Sequence, residues 1–116
     1  FANKLKDTEE IGGTGNMLDN TALLFGSASS AFHLSRNYPM LLLGGRGMGF
    51  KHGQFMKYGQ GNEQNQSTAG ISTDEGWKGA MDYTELPLSN LYLTMLHKLG
   101  VETDSFGGST GTLSEV

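Results

Sequence analysis

The sequence has no cysteine, no long apolar run and no excess of basic residues, and each absence excludes a class of protein. Without cysteine the chain forms neither disulfide bonds nor thiolate metal sites, although this does not identify a cellular compartment. No run approaches the roughly 20 apolar residues of a membrane-spanning helix, so the sequence predicts no transmembrane segment in this chain. The eight Lys and Arg are scattered, and a net charge of −4 argues against nucleic-acid binding.

Glycine, by contrast, is abundant. With 18 glycines and 36% hydrophobic residues in 116 positions, we expect at most one small domain with a thin core and many loops. The first residue is Phe1 rather than Met, and the 116 residues contain no signal-peptide pattern. We therefore expect either a processed chain or a piece of a longer one.

One stretch, 86–101, has a long helical periodicity. Its apolar residues recur at three- and four-residue steps, which places them on one broad face: Leu88, Leu91, Tyr92, Met95, Leu96 and Leu99. Pro87 suits a first helical turn because its missing amide would have no partner there. Gly100 suits the left-handed residue that ends a helix. We predict a helix over 87–99 whose apolar face packs on a sheet.

Two unbroken apolar runs, 21–26 and 38–43, are typical of strands. Neither run alternates with polar residues, so both are expected to be buried on both faces, as central strands of an α/β sheet are. The chain offers one complete helix and, at 1–10, the last turns of another, which is too little to cover two faces. We therefore expect the sheet to be covered by other residues of a longer parent chain or by a partner protein.

The remaining segments are more polar. Residues 54–58 are predicted to form a short edge strand or hairpin arm. The polar, low-complexity stretch 59–76 is predicted to be a surface insertion. The Gly/Ser/Thr-rich stretch 103–116 is predicted to be irregular and to lie over the sheet or along a neighbour, anchored by Phe106 and Leu113.

The glycine-rich stretch 44–49 follows a strand and invites comparison with phosphate-binding loops. Its spacing does not fit G-x-G-x-x-G leading into a helix, because Phe50 and Lys51 continue into more loop. The G-x-x-x-x-G-K-[ST] pattern is also missing. We interpret this stretch as a tight turn that glycine permits.

Ser27, Ser29 and Ser30 follow the first strand, where open α/β sheets place ligands, and His33 is a possible base for one of them. The sequence is not the G-x-S-x-G nucleophile elbow, so loop hydrogen bonds are the favoured role for these hydroxyls. The three histidines lack metal-binding spacing. We predict hydrogen-bonded or surface histidines, with His97 on the polar side of the helix; His33 and His52 follow strands and are placed to share a site.

Three stretches together resemble the alkaline-phosphatase and sulfatase superfamily. DNTALLFGS at 19–27 resembles its D-N-T, strand, S segment, YPMLLLGG at 38–45 resembles the next strand, and 88–101 resembles the helix near the end of the catalytic domain. The closest likeness is to a family of uncharacterised secreted bacterial proteins. Their final motif, S-F-G-D-S-T-G, matches 105–111 with one substitution, at Gly108. Order and spacing hold over 18–112, apart from the insertion at 59–76.

The resemblance implies an α/β fold in which 1–116 is the C-terminal portion of one larger alkaline-phosphatase-like sandwich. Such a sandwich has a mixed sheet with helices on its faces, and this portion would be incomplete on its own. The family likeness also implies a secreted or periplasmic location. Any nucleophile and the other metal ligands of the superfamily would lie upstream of this sequence.

Metal-dependent members of the superfamily carry an Asp-His pair directly after the first strand. The matching residues here are Ala28 and Ser29, which cannot bind a divalent metal as that pair does. The resemblance therefore implies no metal, no cofactor and no catalytic residue in this chain. It leaves a set of possible ligand or polar contacts: His33, Ser27, Ser29 and Arg36.

Three functions remain open at this point. The favoured one is a catalytically silent sulfatase-like domain that serves as a structural or interaction component of a secreted or envelope assembly. The second is a metal-dependent hydrolase of phosphate or sulfate esters with most of its catalytic residues upstream. The third is a domain that binds carbohydrate or another small ligand in the old active-site cleft.

Overall fold

The computed structural model describes residues 1–27, 39–58 and 86–116. These residues form two helices, one short 3-10 helix and a two-stranded antiparallel sheet, so the predicted mixed α/β class is confirmed at this level. The elements in chain order are α1 (Ala2–Lys6), β1 (Ala22–Gly26), β2 (Met40–Gly44), the 3-10 helix (Arg46–Met48) and α2 (Ser89–Lys98). The predicted insertion at 59–76 lies outside the described residues.

The chain divides into two compact units. The first contains both α-helices and consists of Phe1–Phe25, Met40–Gln54 and Pro87–Val116. The second consists of Gly26–Pro39 and Phe55–Leu86, of which only positions 26, 27, 39, 55–58 and 86 are described. No helix in the described parts of the chain has the length and apolar character needed to cross a membrane.

The two predicted strands exist and pair with each other. The Ser27 amide donates to the Pro39 carbonyl at 3.3 Å, and this antiparallel register sets Phe25 opposite Leu41. The prediction of near-complete burial is wrong, because Phe25 is 75% exposed and Leu41 is 51% exposed. An unbroken apolar run indicates that a strand should be covered, but among the described residues no second layer lies over this pair.

Helix α2 runs from Ser89 to Lys98, within the predicted span of 87–99. Its end is as predicted: Gly100 has a φ of +79°, and the Val101 amide donates to the Leu96 carbonyl at 2.9 Å. The Gly100 amide also bonds back to the last turn, which completes a Schellman motif. Glycine adopts this left-handed conformation without the steric penalty that a side chain brings.

The predicted buried face of α2 is wrong. The buried helix residues are Ser89, Asn90, Leu93 and Thr94. The six apolar residues of the predicted stripe are half-buried or exposed, with Leu99 the most exposed at 54%. The reason is that the irregular segment 101–116 packs along the helix and presents backbone groups to it, and those groups require polar partners.

Two side chains one turn apart on α2 supply those partners. The Asn90 Oδ1 atom accepts the Thr110 amide at 2.8 Å, and Asn90 Nδ2 donates to Thr110 Oγ1 at 3.1 Å. The Thr94 hydroxyl accepts the Leu113 amide at 2.8 Å and donates to the Asn90 carbonyl at 2.8 Å. Leu113 and Val116 are buried. The C-terminal segment is thus irregular as predicted, and it packs along the helix.

The two anchors predicted for this segment behave differently. Leu113 is buried, which confirms its role, whereas Phe106 remains about half exposed. The Phe106 ring meets Tyr92 edge to face, with ring centroids 6.0 Å apart. The apolar contact of Phe106 is therefore made at the surface of the helix.

The loop after β2 holds the other side of the C-terminal segment. Lys51 Nζ donates to the Ser114 carbonyl at 2.7 Å, and Gln54 Nε2 donates to the Glu115 carbonyl at 2.6 Å. Residues 51–58 form no strand, so the predicted edge strand at 54–58 is wrong. The side chain of Gln54 pairs instead with the backbone of the C-terminal segment.

Helix α2 also contacts this loop directly. Lys98 Nζ donates to the Gly49 carbonyl at 2.6 Å and lies 5.2 Å from the centroid of the buried Phe50 ring. The ammonium group therefore combines a hydrogen bond with a cation–π contact. At the other end of the chain, α1 buries Leu5 but leaves Phe1 exposed, so only one residue of the expected Phe1–Leu5 face is covered.

Removing each of two buried hydroxyls of α2 should have a different effect on the free energy of unfolding. Ser89 Oγ is sealed from solvent with no hydrogen-bond partner among the described residues, whereas Thr94 Oγ1 is fully paired. We expect Thr94→Val to lower the free energy of unfolding by about 1–3 kcal/mol, because it leaves the Leu113 amide without its hydrogen-bond acceptor. We expect Ser89→Ala to leave stability unchanged or raise it, because alanine has no hydroxyl to desolvate. Urea unfolding of both variants measures this; equal losses would contradict the hydrogen-bond assignment.

Candidate functional site

The polar residues predicted after the first strand are only partly described. Ser27 lies directly after β1, is exposed, and donates its amide to Pro39. His33, Ser29, Arg36 and the diagnostic Ala28 lie outside the described residues. Their roles therefore remain predictions.

The other two histidines are hydrogen-bonded at the surface, as predicted. His52 Nε2 lies 2.6 Å from the Gly44 carbonyl, and His97 Nε2 lies 2.7 Å from the Thr103 carbonyl. A carbonyl only accepts, so each Nε2 carries the proton in these bonds, and the lone pair of the neutral ring lies on Nδ1. Within the described part of the chain no cluster of three or more histidine or carboxylate side chains is placed to hold a metal ion.

The glycine-rich stretch after β2 forms the predicted tight turn. Gly44, Gly45 and Gly49 all have positive φ, and a 3-10 helix lies between the last two. Five backbone amides of this turn donate to backbone carbonyls. The donors are the amides of Gly45, Gly47, Met48, Gly49 and Phe50. A phosphate-binding loop needs amides that point at its ligand. These amides are already paired, so the geometry argues against a phosphate loop.

The glycine turn joins the end of β2 to the loop that precedes β1. Gly45 donates to the Leu18 carbonyl at 2.8 Å, and Gly47 donates to the Asp19 carbonyl at 2.7 Å. The approach is so close that a Cβ at Gly44 would lie 2.2 Å from the Thr21 carbonyl oxygen. The glycines therefore permit backbone contact between two loops, which is a structural role.

The sheet carries an exposed apolar surface in the first unit. Phe25 and Leu41 lie opposite each other, and the pleat places Leu23 and Leu43 on the same face. We call Phe25 and Leu41 the sheet patch. Fully burying side chains of this size contributes about 1.5–3 kcal/mol each. The sheet patch is the candidate functional site, because two adjacent large apolar side chains are left in water.

Sequence reasoning identified these residues through the apolar runs but could not show that they would be left uncovered. The exposed fractions of Phe25 and Leu41 depend on which elements pack over the sheet, and no local pattern reports that. The expectation that other residues cover the sheet was made from the same runs.

Two glycines with similar backbone angles should differ sharply in their tolerance of alanine. Gly100 and Gly44 have φ of +79° and +74°, but a Cβ at Gly100 meets nothing within 4 Å, whereas one at Gly44 collides with backbone oxygens. We expect Gly100→Ala to cost about 1–2 kcal/mol from backbone strain alone. Gly44→Ala should cost roughly 1–3 kcal/mol more. Thermal unfolding of the pair measures the difference, and equal losses would refute the loop junction.

Comparisons with known proteins give no direct support for a family. The chain matches no family model, no curated protein and no solved structure. The superfamily resemblance carried by the sequence motifs therefore stays a prediction, and the function has to be argued from residues and geometry.

Proposed function

We propose that this chain is the C-terminal portion of a catalytically silent, sulfatase-like α/β sandwich that serves as a structural or interaction component of a secreted or envelope assembly. The observation that carries the proposal is the sheet patch, where Phe25 and Leu41 lie exposed on paired strands. Motifs at 19–27, 38–45, 88–101 and 105–111 are the reason for the sulfatase-like assignment.

The chemistry of the sheet patch favours a polypeptide as its cover. Sites for sugars and small ligands need a few convergent polar groups to orient the ligand. The face around the patch presents leucine side chains instead, from Leu23 and Leu43. An apolar helix or strand, from the rest of a parent chain or from a partner protein, matches this surface best. Covering it would remove both large side chains from water.

The proposed lack of catalysis rests on residue types. Ala28 and Ser29 stand where metal-dependent relatives in the superfamily carry Asp and His. A methyl group and a single hydroxyl do not replace a carboxylate and an imidazole as ligands. His33 alone supplies one ligand, whereas a catalytic zinc generally keeps three protein ligands.

Radical footprinting tests the sheet patch as a covered surface. We expect Phe25 and Leu41 to be oxidised in the isolated 116-residue chain and protected in the native protein or assembly that contains it. Ile11, which is 99% exposed in the first unit, is the internal control and should be labelled in both samples. Equal labelling of the patch in both samples, with Ile11 unchanged, would contradict the proposed interaction role.

Elemental analysis tests the proposed lack of metal-dependent catalysis. The longest native polypeptide that contains this sequence should hold less than one equivalent of Zn, Mg, Ca or Mn, and a His33→Ala variant should have the same metal content. A Ser35→Ala variant, two residues further along the sequence, serves as a matched control. Stoichiometric metal that is lost only in His33→Ala would overturn the proposal in favour of the metal-dependent hydrolase.

A further inference from the structure

The outer edge of β1 carries backbone groups that β2 does not use. Because the Ser27 amide donates to the Pro39 carbonyl, the hydrogen-bonded pairs of this antiparallel ladder are 27 with 39, 25 with 41 and 23 with 43. The residues between them, Ala22, Leu24 and Gly26, turn their amides and carbonyls away from β2. No described residue bonds to these six groups, so the edge of β1 presents a row of open donors and acceptors.

The outer edge of β2 is partly occupied. In the same register its outward-facing residues are Met40, Leu42 and Gly44. The Gly44 carbonyl already bonds to His52 Nε2 at 2.6 Å, which closes one end of this edge. An additional strand is therefore favoured on β1 rather than on β2.

The composition of β1 contains nothing that would keep its edge unpaired. Edge strands that stay in solvent are commonly protected by a charged side chain or a proline, which discourages pairing with another strand. β1 has the sequence ALLFG and carries neither. An apolar strand with an unprotected edge is typical of the interior of a wider sheet.

We propose that a strand from the rest of the parent polypeptide pairs with the outer edge of β1 and extends the two-stranded sheet. This inference rests on the proposed function and specifies how the cover is attached: by backbone hydrogen bonds to Ala22, Leu24 and Gly26, beside the apolar contact at the sheet patch. Only an extended backbone matches a row of outward amides and carbonyls, because a helix already pairs its own.

The chemistry of β1 and β2 also defines the side chains of the added strand. Neither strand has a charged residue, so a charge on the added strand would lie beside apolar side chains: Leu23 and Phe25 on one face, or Leu24 on the other. Burying such a charge without a partner is costly. The added strand is therefore uncharged on both faces.

Two arguments favour the parent polypeptide as the source of the strand. An unprotected edge that waited for a separate protein would be free to aggregate, whereas a strand of the same polypeptide is always at hand. A second copy of this chain fits less well, because pairing β1 with β1 widens the sheet but adds no layer over Phe25 and Leu41.

Amide hydrogen exchange resolved by residue tests the added strand. We expect the Leu24 amide to exchange at least about a hundredfold more slowly in the longest native polypeptide that contains this sequence than in the isolated 116-residue chain. The Leu23 and Phe25 amides are matched controls in the same strand, because the register directs them towards β2. In the native polypeptide Leu24 should be as well protected as these two.

Fast exchange of Leu24 beside slow exchange of Leu23 and Phe25 in the native polypeptide would overturn the proposal. Slow exchange of Leu24 already in the isolated chain would also overturn it, because this chain, or a second copy if the protection is lost on dilution, would then fill the edge. Protection that appears only when a separate partner protein is added would overturn the parent polypeptide as the source.

Radical footprinting of Phe25 and Leu41 on the same native sample separates this proposal from the proposed function. A protected sheet patch with fast exchange of Leu24 would remove the edge pairing and leave the proposed function standing. An equally labelled patch would contradict the proposed function, whatever the exchange rate of Leu24.

Discussion

The first unit depends on the pairing between the polar side of α2 and the backbone of the C-terminal segment. An irregular segment can be buried only if its amides and carbonyls find partners, since each unpaired group costs about 1–3 kcal/mol. Asn90 and Thr94 meet this requirement one helical turn apart, for amides three residues apart in the segment. Lys51 and Gln54 satisfy carbonyls on its other side.

That pairing determines which surfaces remain open. Because α2 turns its polar residues towards the segment, the half-buried and exposed positions fall on its apolar stripe, including Tyr92 and Leu99. The sheet in turn keeps Phe25 and Leu41 exposed. The described unit thus buries Asn90 and Thr94, which are paired, together with a small apolar core, and it leaves Leu99, Phe25 and Leu41 at the surface.

Many of the residues with potential chemistry have structural roles instead. His52 bonds to the end of β2, Lys98 bonds to the Gly49 carbonyl beside Phe50, and the glycine turn pairs its own amides. In each case the polar group is already bonded to a backbone partner. This distribution directs attention to surfaces rather than to a reaction centre in the described residues.

Local features could be predicted from the sequence, and non-local ones could not. Gly100 marked the end of α2 and the apolar runs marked both strands, because turn chemistry and strand preference act over a few residues. The periodicity of α2 showed which residues share a face but not which face is covered. That choice depends on Thr110 and Leu113, which lie 20 and 19 residues from their partners.

The strand expected at 54–58 failed for the same non-local reason. The side chain of Gln54 is bonded to the backbone of Glu115, and the short apolar pattern around Phe55 gives no sign of that contact. For the sheet patch, the local pattern was correct and the predicted burial was not. Its residues were identified from local pattern, whereas their exposure follows from the arrangement of distant elements.

Amide hydrogen exchange of the C-terminal segment tests the central pairing most directly. The Thr110 and Leu113 amides donate to Asn90 and Thr94, so they should exchange as slowly as amides in the middle of α2. The exposed Gly108 amide provides the fast reference within the same segment. Exchange of Leu113 at the rate of Gly108 would contradict the account, because the segment would then not be held against the helix.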